Sequence, residues 1–470
     1  MRLADLLAAA GLDGTQLRGA GPARDPEIVA VDYDSRRVEP GALFCCFAGE
    51  RADGHGFATA AVDAGAAALL VERAVEGVDV IQVVVPDARA AMGSIAAALH
   101  GHPAQHLTVV GITGTNGKTT TAALLAAVLR HAGHTVEVLG TLSGTFTTPE
   151  APELQAQLAE WLAGGVTHVV MEVSSHALAL HRVTGSRFRV AVFTNLGRDH
   201  LDFHGHEEDY FLAKSRLFTP ELSDRAVINV DDDAGRRLAE MTALPVTAVR
   251  RHQASDVVVG ARSHRYRWRD QPVNVPLGGE FNVMNSLEAA ETAVLLGVAP
   301  PDVAAGLATA GAVPGRFESV DAGQAFDVIV DFAHTPDGLR EALRAARATT
   351  RQRLLVVFGC GGDRDRAKRA AMGAVAAELA DEVIVTSDNP RTEDPMAIIN
   401  AIIEGVPHDY RGHVVLDADR RSAISQALGR ARPGDLVLIA GKGHERTQTI
   451  GDVKHPFDDR QVAREILESM

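Results

Sequence analysis

Residues Leu107 to Gly133 read LTVVGITGTNGKTTTAALLAAVLRHAG. An apolar run, a glycine-rich turn and an amphipathic stretch follow one another, which predicts a strand, a phosphate-binding loop and a helix. Gly111, Gly114 and Gly117 let the backbone turn with its N–H groups facing inward. Lys118 supplies a positive point charge and Thr119 a hydroxyl ligand for magnesium. Leu124, Leu125, Val128 and Leu129 recur at helical spacing, and Gly133 stands where a left-handed cap ends the helix. Five residues separate Gly111 from Gly117, one more than in GxxxxGK[ST]. The loop is therefore a variant, and kinase, ATPase and ligase chemistry all stay open.

A chain of 470 residues exceeds one ordinary core, and about 150 residues per domain gives roughly three. Hydrophobic residues at 46% and charged residues at 23% fit globular order throughout. The net charge of −15 argues against nucleic acid and against an anionic membrane surface as partners. The opening MRLADLLAAAGLDG carries Asp5 and no long apolar core, so it reads as an amphipathic helix rather than a signal peptide. No apolar run approaches a membrane span. Cys45, Cys46 and Cys360 cannot form a disulfide framework. A cytoplasmic location is expected.

Outward from the loop, the first hundred or so residues alternate short helices with strand-like EIVAVDY, ALFCCFAG, ALLVE and VIQVVV. Their polar loops, Asp34–Gly41 and Arg51–Phe57, are weak signals by themselves. A boundary near Gly101-His102-Pro103 is followed by the phosphate-loop strand, a strand at Thr135–Leu139, a helix with Leu154, Leu158, Trp161 and Leu162, and a strand ending at Glu172. A carboxylate at a strand end downstream of a phosphate loop is where magnesium chemistry is expected. Ser174-Ser175-His176 lacks the GxSxG context of a serine nucleophile. The cluster Asp199 to Glu208 has histidines and acids but no cysteine and no HExxH, which favours magnesium over zinc. On pattern alone Lys214 is a surface lysine.

Arg265-Tyr266-Arg267-Trp268-Arg269 alternates strictly, which suits a half-buried edge hairpin better than a nucleic-acid patch in so acidic a chain. After Arg316, the runs FDVIVD, LLVVFG, EVIVT, HVVLD and DLVLIAG alternate with helices. The loops DFAHTPDG, GCGGDRDRAKR, SDNPRTEDP and GKGHERTQ lie at strand ends, where open parallel sheets bind ligands. Cys360, with no base beside it, reads as a packed thiol. Three α/β domains are expected, at 1–104, 105–312 and 313–470.

Over nearly its whole length the chain resembles the Mur ligases, and within them the branch that adds a third residue to a UDP-N-acetylmuramoyl-dipeptide. The stretches that carry the resemblance are GITGTNGKTT, DSRRVEPGALF, TTPE, MEVSSHAL, FTNLGRDHLDFHG, YFLAKSRLF, FNVMNSLEA, VPGRFE, DFAHTPD, DNPR and GKGHE. The resemblance implies an α/β architecture with a small N-terminal domain that binds the UDP-sugar, a central P-loop domain that binds ATP, and a Rossmann-like C-terminal domain that takes the amino acid. It also implies an ATP-dependent, amide-forming ligase that works through an acyl phosphate in peptidoglycan precursor synthesis and acts as a monomer.

By the same resemblance, Gly114, Thr115, Asn116, Gly117, Lys118, Thr119, Thr120, Asn285, Arg316 and Asp331 contact ATP. Thr119, Glu172, His200 and Lys214 serve magnesium, with Lys214 carbamylated by carbon dioxide. Ser35, Thr147, Thr148, Ser174 and Arg182 correspond to contacts with the muramoyl-peptide substrate. Arg364, Asp388, Asn389, Pro390, Arg391, Gly441 and Glu445 correspond to contacts with the added amino acid. The DNPR sequence marks members that add meso-diaminopimelate, whose far carboxylate a guanidinium can grip bidentately; L-lysine and L-ornithine are the alternatives. Leu180 in place of a glutamine, a short Gly140–Glu150 stretch and Phe332 in place of a tyrosine depart from the family pattern. A kinase or simple ATPase leaves DNPR and GKGHE unexplained, and a non-catalytic nucleotide-sugar binder leaves Lys118, Glu172, His200 and Lys214 unexplained.

Overall fold

Three stretches of alternating apolar runs and Ala-rich helices each fold into a largely parallel sheet, because strands joined by helical crossovers must lie parallel. The computed structural model describes residues 1–12, 14–19, 25–49, 52–144 and 146–470. Asp13 of the opening stretch, Arg51 of the second N-terminal loop and Thr145 of the shortened stretch lie outside the described residues.

The first sheet has the spatial order Gln16–Arg18, Ile81–Val84, Ala68–Val71, Ala42–Cys46, Ala30–Asp32. Its edge strand Gln16–Arg18 pairs antiparallel, and the other strands are parallel. The opening helix covers Leu3–Ala9 and buries Leu3, Leu6 and Leu7. Cys45 and Cys46 are buried and unpaired.

The central sheet is parallel throughout, in the order Val246–Val249, Ala226–Asn229, Val190–Phe193, Thr108–Thr113, His168–Glu172, Val136–Leu139. From Thr108–Thr113 the chain winds first toward Val136–Leu139 and later to the opposite side. The strand before the phosphate loop therefore borders the point where strand order reverses, the usual crevice for a ligand. Helix Lys118–His131 buries Leu124, Leu125, Val128 and Leu129 against helix Phe281–Leu295, and Gly133 takes the left-handed cap at φ 88°.

The expected edge hairpin is corrected to a three-stranded antiparallel meander, Ser255–Val259, His264–Trp268 and Gln271–Val275. Its middle strand alternates as the sequence predicts. Arg265 and Arg267 are exposed, while His264, Tyr266 and Trp268 are buried. The buried face is tied to helix Phe281–Leu295: Trp268 Nε1 donates to Glu291 at 2.9 Å, and the Tyr266 hydroxyl meets Ser286 Oγ at 2.9 Å. The aromatics thus serve packing, and the third strand was hidden because Gln271–Val275 contains a proline and few aromatics.

The third sheet runs Glu318–Ser319, Asp327–Asp331, Leu436–Ala440, Leu354–Phe358, Glu382–Val385, Val414–Leu416. Only Glu318–Ser319 is antiparallel. The four loops singled out in sequence all leave the carboxyl ends of its strands. A hairpin, Thr447–Ile450 with Val453–Pro456, follows the last of them. No helix is long and apolar enough to cross a membrane among the described residues.

Candidate active site

Gly114 and Gly117 sit at φ 152° and 88°. A Cβ on Gly114 would fall 1.9 Å from Thr194 Oγ1, and one on Gly117 would fall 2.5 Å from Asn285 Oδ1. Both positions require glycine, because the loop is pressed between the end of strand Val190–Phe193 and helix Phe281–Leu295. Thr194 Oγ1 donates to the carbonyl of Asn116 at 2.6 Å, and Asn195 Oδ1 accepts from Asn116 N at 2.9 Å.

Lys118 Nζ bends back to donate to the carbonyls of Gly114 and Thr115 at 2.8 and 2.9 Å. Burial depresses its pKa, with Glu172 opposing. The Thr119 hydroxyl lies 3.0 Å from both oxygens of Glu172, which also accept from the backbone N–H and hydroxyl of Thr141 at 2.9 and 3.1 Å. Arg316 reaches in from beyond the central sheet, its Nη2 donating to Thr119 Oγ1 at 3.3 Å while its guanidinium lies over the Phe332 ring at 4.6 Å. Asp331 is half-buried, accepts from the N–H groups of Phe317 and Ala333 at 2.7 and 2.8 Å, and has its pKa raised by its partial burial.

These groups line one cleft of about 720 Å³ between the carboxyl ends of the second and third sheets. The expected nucleotide positions Thr115, Asn116, Gly117, Lys118, Thr119, Thr120, Asn285, Arg316 and Asp331 all open onto it, together with Thr147, Glu172, Ser174 and His200. Gly114 lies behind it as the shared acceptor of Lys118 and Lys214.

Lys214 is not the surface residue that helical pattern alone suggests. It is 2% exposed on helix Glu207–Ser215, donates to the Gly114 carbonyl at 2.9 Å and lies over the Tyr210 ring at 4.4 Å. Burial, and after it the charge of Lys118, hold its pKa well below the ordinary lysine value. His200 adopts a left-handed backbone at φ 55°, with Nε2 3.4 Å from Asp199.

The donor set suits magnesium. Thr119 and Glu172 offer converging hard oxygens, and such an ion commonly fills its remaining positions with phosphate and water. Among the described residues no group of three or more His, Cys, Asp or Glu could hold a metal by itself.

The muramoyl-peptide positions run outward from the cleft edge, where Thr147 and Ser174 line it. Thr148 Oγ1 donates to the Glu172 carbonyl at 2.9 Å and accepts from Ser174 N at 3.1 Å. Arg182 pairs with Glu150 at 2.8 Å, and Ser174 caps helix Ser175–Ala179. Ser35 lies in the loop whose neighbours Tyr33 and Arg37 both bond Glu153 of the central region, at 3.1 and 2.8 Å.

The amino-acid positions gather apart from the cleft. Asn389 binds Asp388 Oδ1 and Glu445 Oε2 at 2.9 and 2.8 Å. Arg391 has φ 52° and donates from Nη1 to the Gly362 carbonyl at 2.5 Å. A Cβ on Gly361 would lie 3.1 Å from Arg391 Nη1 and 3.8 Å from Arg364 Cγ, so two arginines flank that glycine. A Cβ on Gly441 would meet Asp388 Oδ2 at 2.8 Å. Pro390 is buried behind this loop, with its carbonyl accepting from Glu393 N at 3.1 Å. Cys360 is buried against Met372, and burial pushes its thiol up to about 12.

Sequence reasoning missed four members of these sites. Thr194 braces the phosphate loop, and Tyr210 meets Thr115 Oγ1 at 3.1 Å. Glu288 is sealed beneath the cleft, where burial raises its pKa well above the carboxylate range and Thr121 donates to it at 3.1 Å. Lys442 is fully buried under the amino-acid positions. All four stand inside quoted motifs, which was their one signal; nothing in the residue pattern around Glu288 marks it as buried.

Three family models match in succession: the Mur ligase family catalytic domain at residues 27–100, the Mur ligase middle domain at 112–293 and the Mur ligase glutamate ligase domain at 315–443. A Streptomyces avermitilis protein named UDP-N-acetylmuramoyl-L-alanyl-D-glutamate–2,6-diaminopimelate ligase is 44% identical, covering 96% of this chain and 95% of that protein. A Gloeobacter violaceus protein of the same name is 46% identical over 99% of this chain and 98% of its own length. A solved structure of a ligase of that name superposes with a TM-score of 0.67 at 34% identity, covering 94% of this chain and 95% of its own. The fold is shared with MurF from Acinetobacter baumannii at a TM-score of 0.64 and 22% identity, covering 93% and 94% of the two chains. With relatives this similar over almost the whole sequence, the chain belongs to the Mur ligase family.

Proposed function

We propose that this enzyme uses ATP to join meso-2,6-diaminopimelate to the D-glutamyl carboxylate of UDP-N-acetylmuramoyl-L-alanyl-D-glutamate. The observation that carries the reading is the single cleft in which the phosphate loop and Glu172 of the central region face Arg316, Asp331 and His334 of the third. A cleft walled on two sides suits a reaction that must hold a nucleotide against an acceptor, with the amine delivered from the neighbouring amino-acid positions of the third region. The relatives named above act on these same substrates by name, and Arg391 stands in the DNPR sequence expected for diaminopimelate. Each matched model falls within one of three units, proposed as 1–104, 105–312 and 313–470.

In the proposed mechanism an acceptor carboxylate oxygen attacks the γ-phosphorus of ATP, ADP leaves, and an acyl phosphate forms. Two anions at 4 Å repel by roughly 4 kcal/mol at an effective dielectric of 20, so the field at the cleft must be positive. Lys118 and Arg316 supply that charge, and the loop N–H groups orient the phosphates. Thr119 and Glu172 would hold magnesium, which supplies further neutralisation when bound. The neutral amine then attacks the acyl carbon, the C–O bond to phosphate breaks, and the proton lost from nitrogen leaves with the departing phosphate. Lys214, buried and biased toward the neutral amine, is suited to attack carbon dioxide: an N–C bond forms, a proton leaves, and an anionic carbamate replaces a cation.

Phosphate release measured with UDP-N-acetylmuramoyl-L-alanyl-D-glutamate, ATP and each candidate amino acid in turn tests the proposal. Release that depends on meso-diaminopimelate, with a product of the matching mass, is the expected result. A preference for L-lysine, or release without an amine, overturns it.

A further inference from the structure

The hydrogen-bond inventory of Asn389 is complete without a ligand. Its two amide N–H groups go to Asp388 Oδ1 at 2.9 Å and Glu445 Oε2 at 2.8 Å. Its carbonyl oxygen accepts from Lys442 Nζ at 3.2 Å and from the Thr449 N–H at 2.9 Å. A primary amide has two donors and two acceptor lone pairs, so nothing remains for a substrate.

Lys442 is 0% exposed. Its ammonium donates to Glu445 Oε2 at 3.0 Å, to Asn389 Oδ1 at 3.2 Å and to the Thr447 carbonyl at 2.7 Å, which uses all three N–H bonds. A buried cation persists only when so paired. Glu445 Oε2 is thereby held by two donors, and its other oxygen makes no hydrogen bond among the described residues. Burial pushes the Glu445 carboxyl up, but Lys442 and Asn389 outweigh it and keep it below the usual carboxylate range. Asp388 likewise spends Oδ1 on Asn389 and turns Oδ2 toward Gly441.

We infer that Lys442 and Asn389 form a buried splint whose task is to aim the outer oxygens of Glu445 and Asp388 at the ammonium group of the incoming amino acid. Both are positioning residues: Asn389 acts through its neighbours and does not touch the substrate. The inference rests on the functional reading above. It adds Lys442 to the selection apparatus and moves Asn389 from contact to support.

The test is a double-mutant cycle read through the Michaelis constants of all three substrates. Lys442→Met removes the ammonium but keeps much of the volume, and Glu445→Gln removes the aimed charge. Lys442→Met alone is expected to raise KM for diaminopimelate about tenfold or more, since a charge-assisted bond is lost. KM for ATP and for the UDP-linked dipeptide should stay within about twofold. In the Glu445→Gln background the same change should cost little, because the group it aims has gone. Asn389→Asp, nearly isosteric, should reproduce the selective rise and the non-additivity, and carries the cycle if Lys442→Met does not fold. Effects that simply multiply, or a rise in all three constants, overturn the splint. A wild-type enzyme inactive with every amino acid overturns the functional reading and the inference with it; activity with diaminopimelate and additive mutants overturns the inference alone.

Discussion

Lys118 and Lys214 donate to the same carbonyl oxygen, that of Gly114, at 2.8 and 2.9 Å. Lys214 is the more deeply placed, and burial, followed by the nearby charge of Lys118, disfavours its ammonium, whereas Lys118 opens onto the cleft. Lys118 must release this carbonyl to reach a phosphate, and a carbamate on Lys214 would give it an anionic neighbour. Lys214→Met should therefore lower kcat about a hundredfold or more while the ADP dissociation constant moves less than about threefold. Phosphate release and calorimetry check the two numbers. Wild-type turnover should also fall in carbon dioxide-free buffer and recover with bicarbonate; full turnover by the mutant would remove the carbamate from the mechanism.

Glu172 accepts hydrogen bonds from Thr119 and Thr141 on both oxygens and faces the phosphate loop. Glu172→Gln keeps the shape and removes the charge. The magnesium concentration that gives half-maximal phosphate release is expected to rise about tenfold or more. An unchanged magnesium titration would exclude Glu172 as a ligand.

Arg391 has one N–H committed to Gly362, which leaves most of its planar fork for a carboxylate. Arg391→Met should cut the ratio of kcat/KM for diaminopimelate over L-lysine about a hundredfold or more, mostly by losing the former. Competition assays with both amino acids present measure that ratio directly. An undiminished ratio would place specificity elsewhere.

His264 is buried, with its ring nitrogens 2.6 Å from the Leu277 carbonyl and 3.2 Å from Ser286 Oγ. Burial lowers its pKa to about 4 from an ordinary 6.5. Between those values the unfolded chain binds a proton that the folded chain refuses, so stability falls as pH drops from 6.5 toward 4 and levels off below. The full loss is of order 3 kcal/mol. His264→Gln should shrink the shift of the urea midpoint between pH 7 and pH 5; an equal shift in the variant would locate the acid sensitivity in other groups.

The parts of the fold governed by local periodicity were legible in the sequence. Leu124, Leu125, Val128 and Leu129 announced helix Lys118–His131, and the apolar runs of the third region became its five parallel strands. Motif spacing likewise located the phosphate loop and the strand-end carboxylate Glu172. Burial that depends on a distant partner was not legible. Lys214 looks solvated on its own helix, yet the Tyr210 ring and the distant Gly114 carbonyl both meet its ammonium. The sealed Glu288 and the contact of Lys442 with Asn389 have the same origin: each is set by tertiary packing across residues far apart in the chain, 167 residues for Thr121 and Glu288 and 53 for Asn389 and Lys442.

A Cβ on Gly315 would fall 2.0 Å from Gly443 C and His444 N. The turn that sends Arg316 toward Thr119 of the phosphate loop is thus seated directly on the main chain of the motif that ends in Glu445. The span between the phosphoryl end and the amine end of the reaction is gauged here by backbone against backbone. With Arg391 selecting the amino acid as proposed, side-chain drift at position 391 would retune that choice without resetting the gauge, so selectivity would be free to diverge while the stroke length of the chemistry is inherited unchanged.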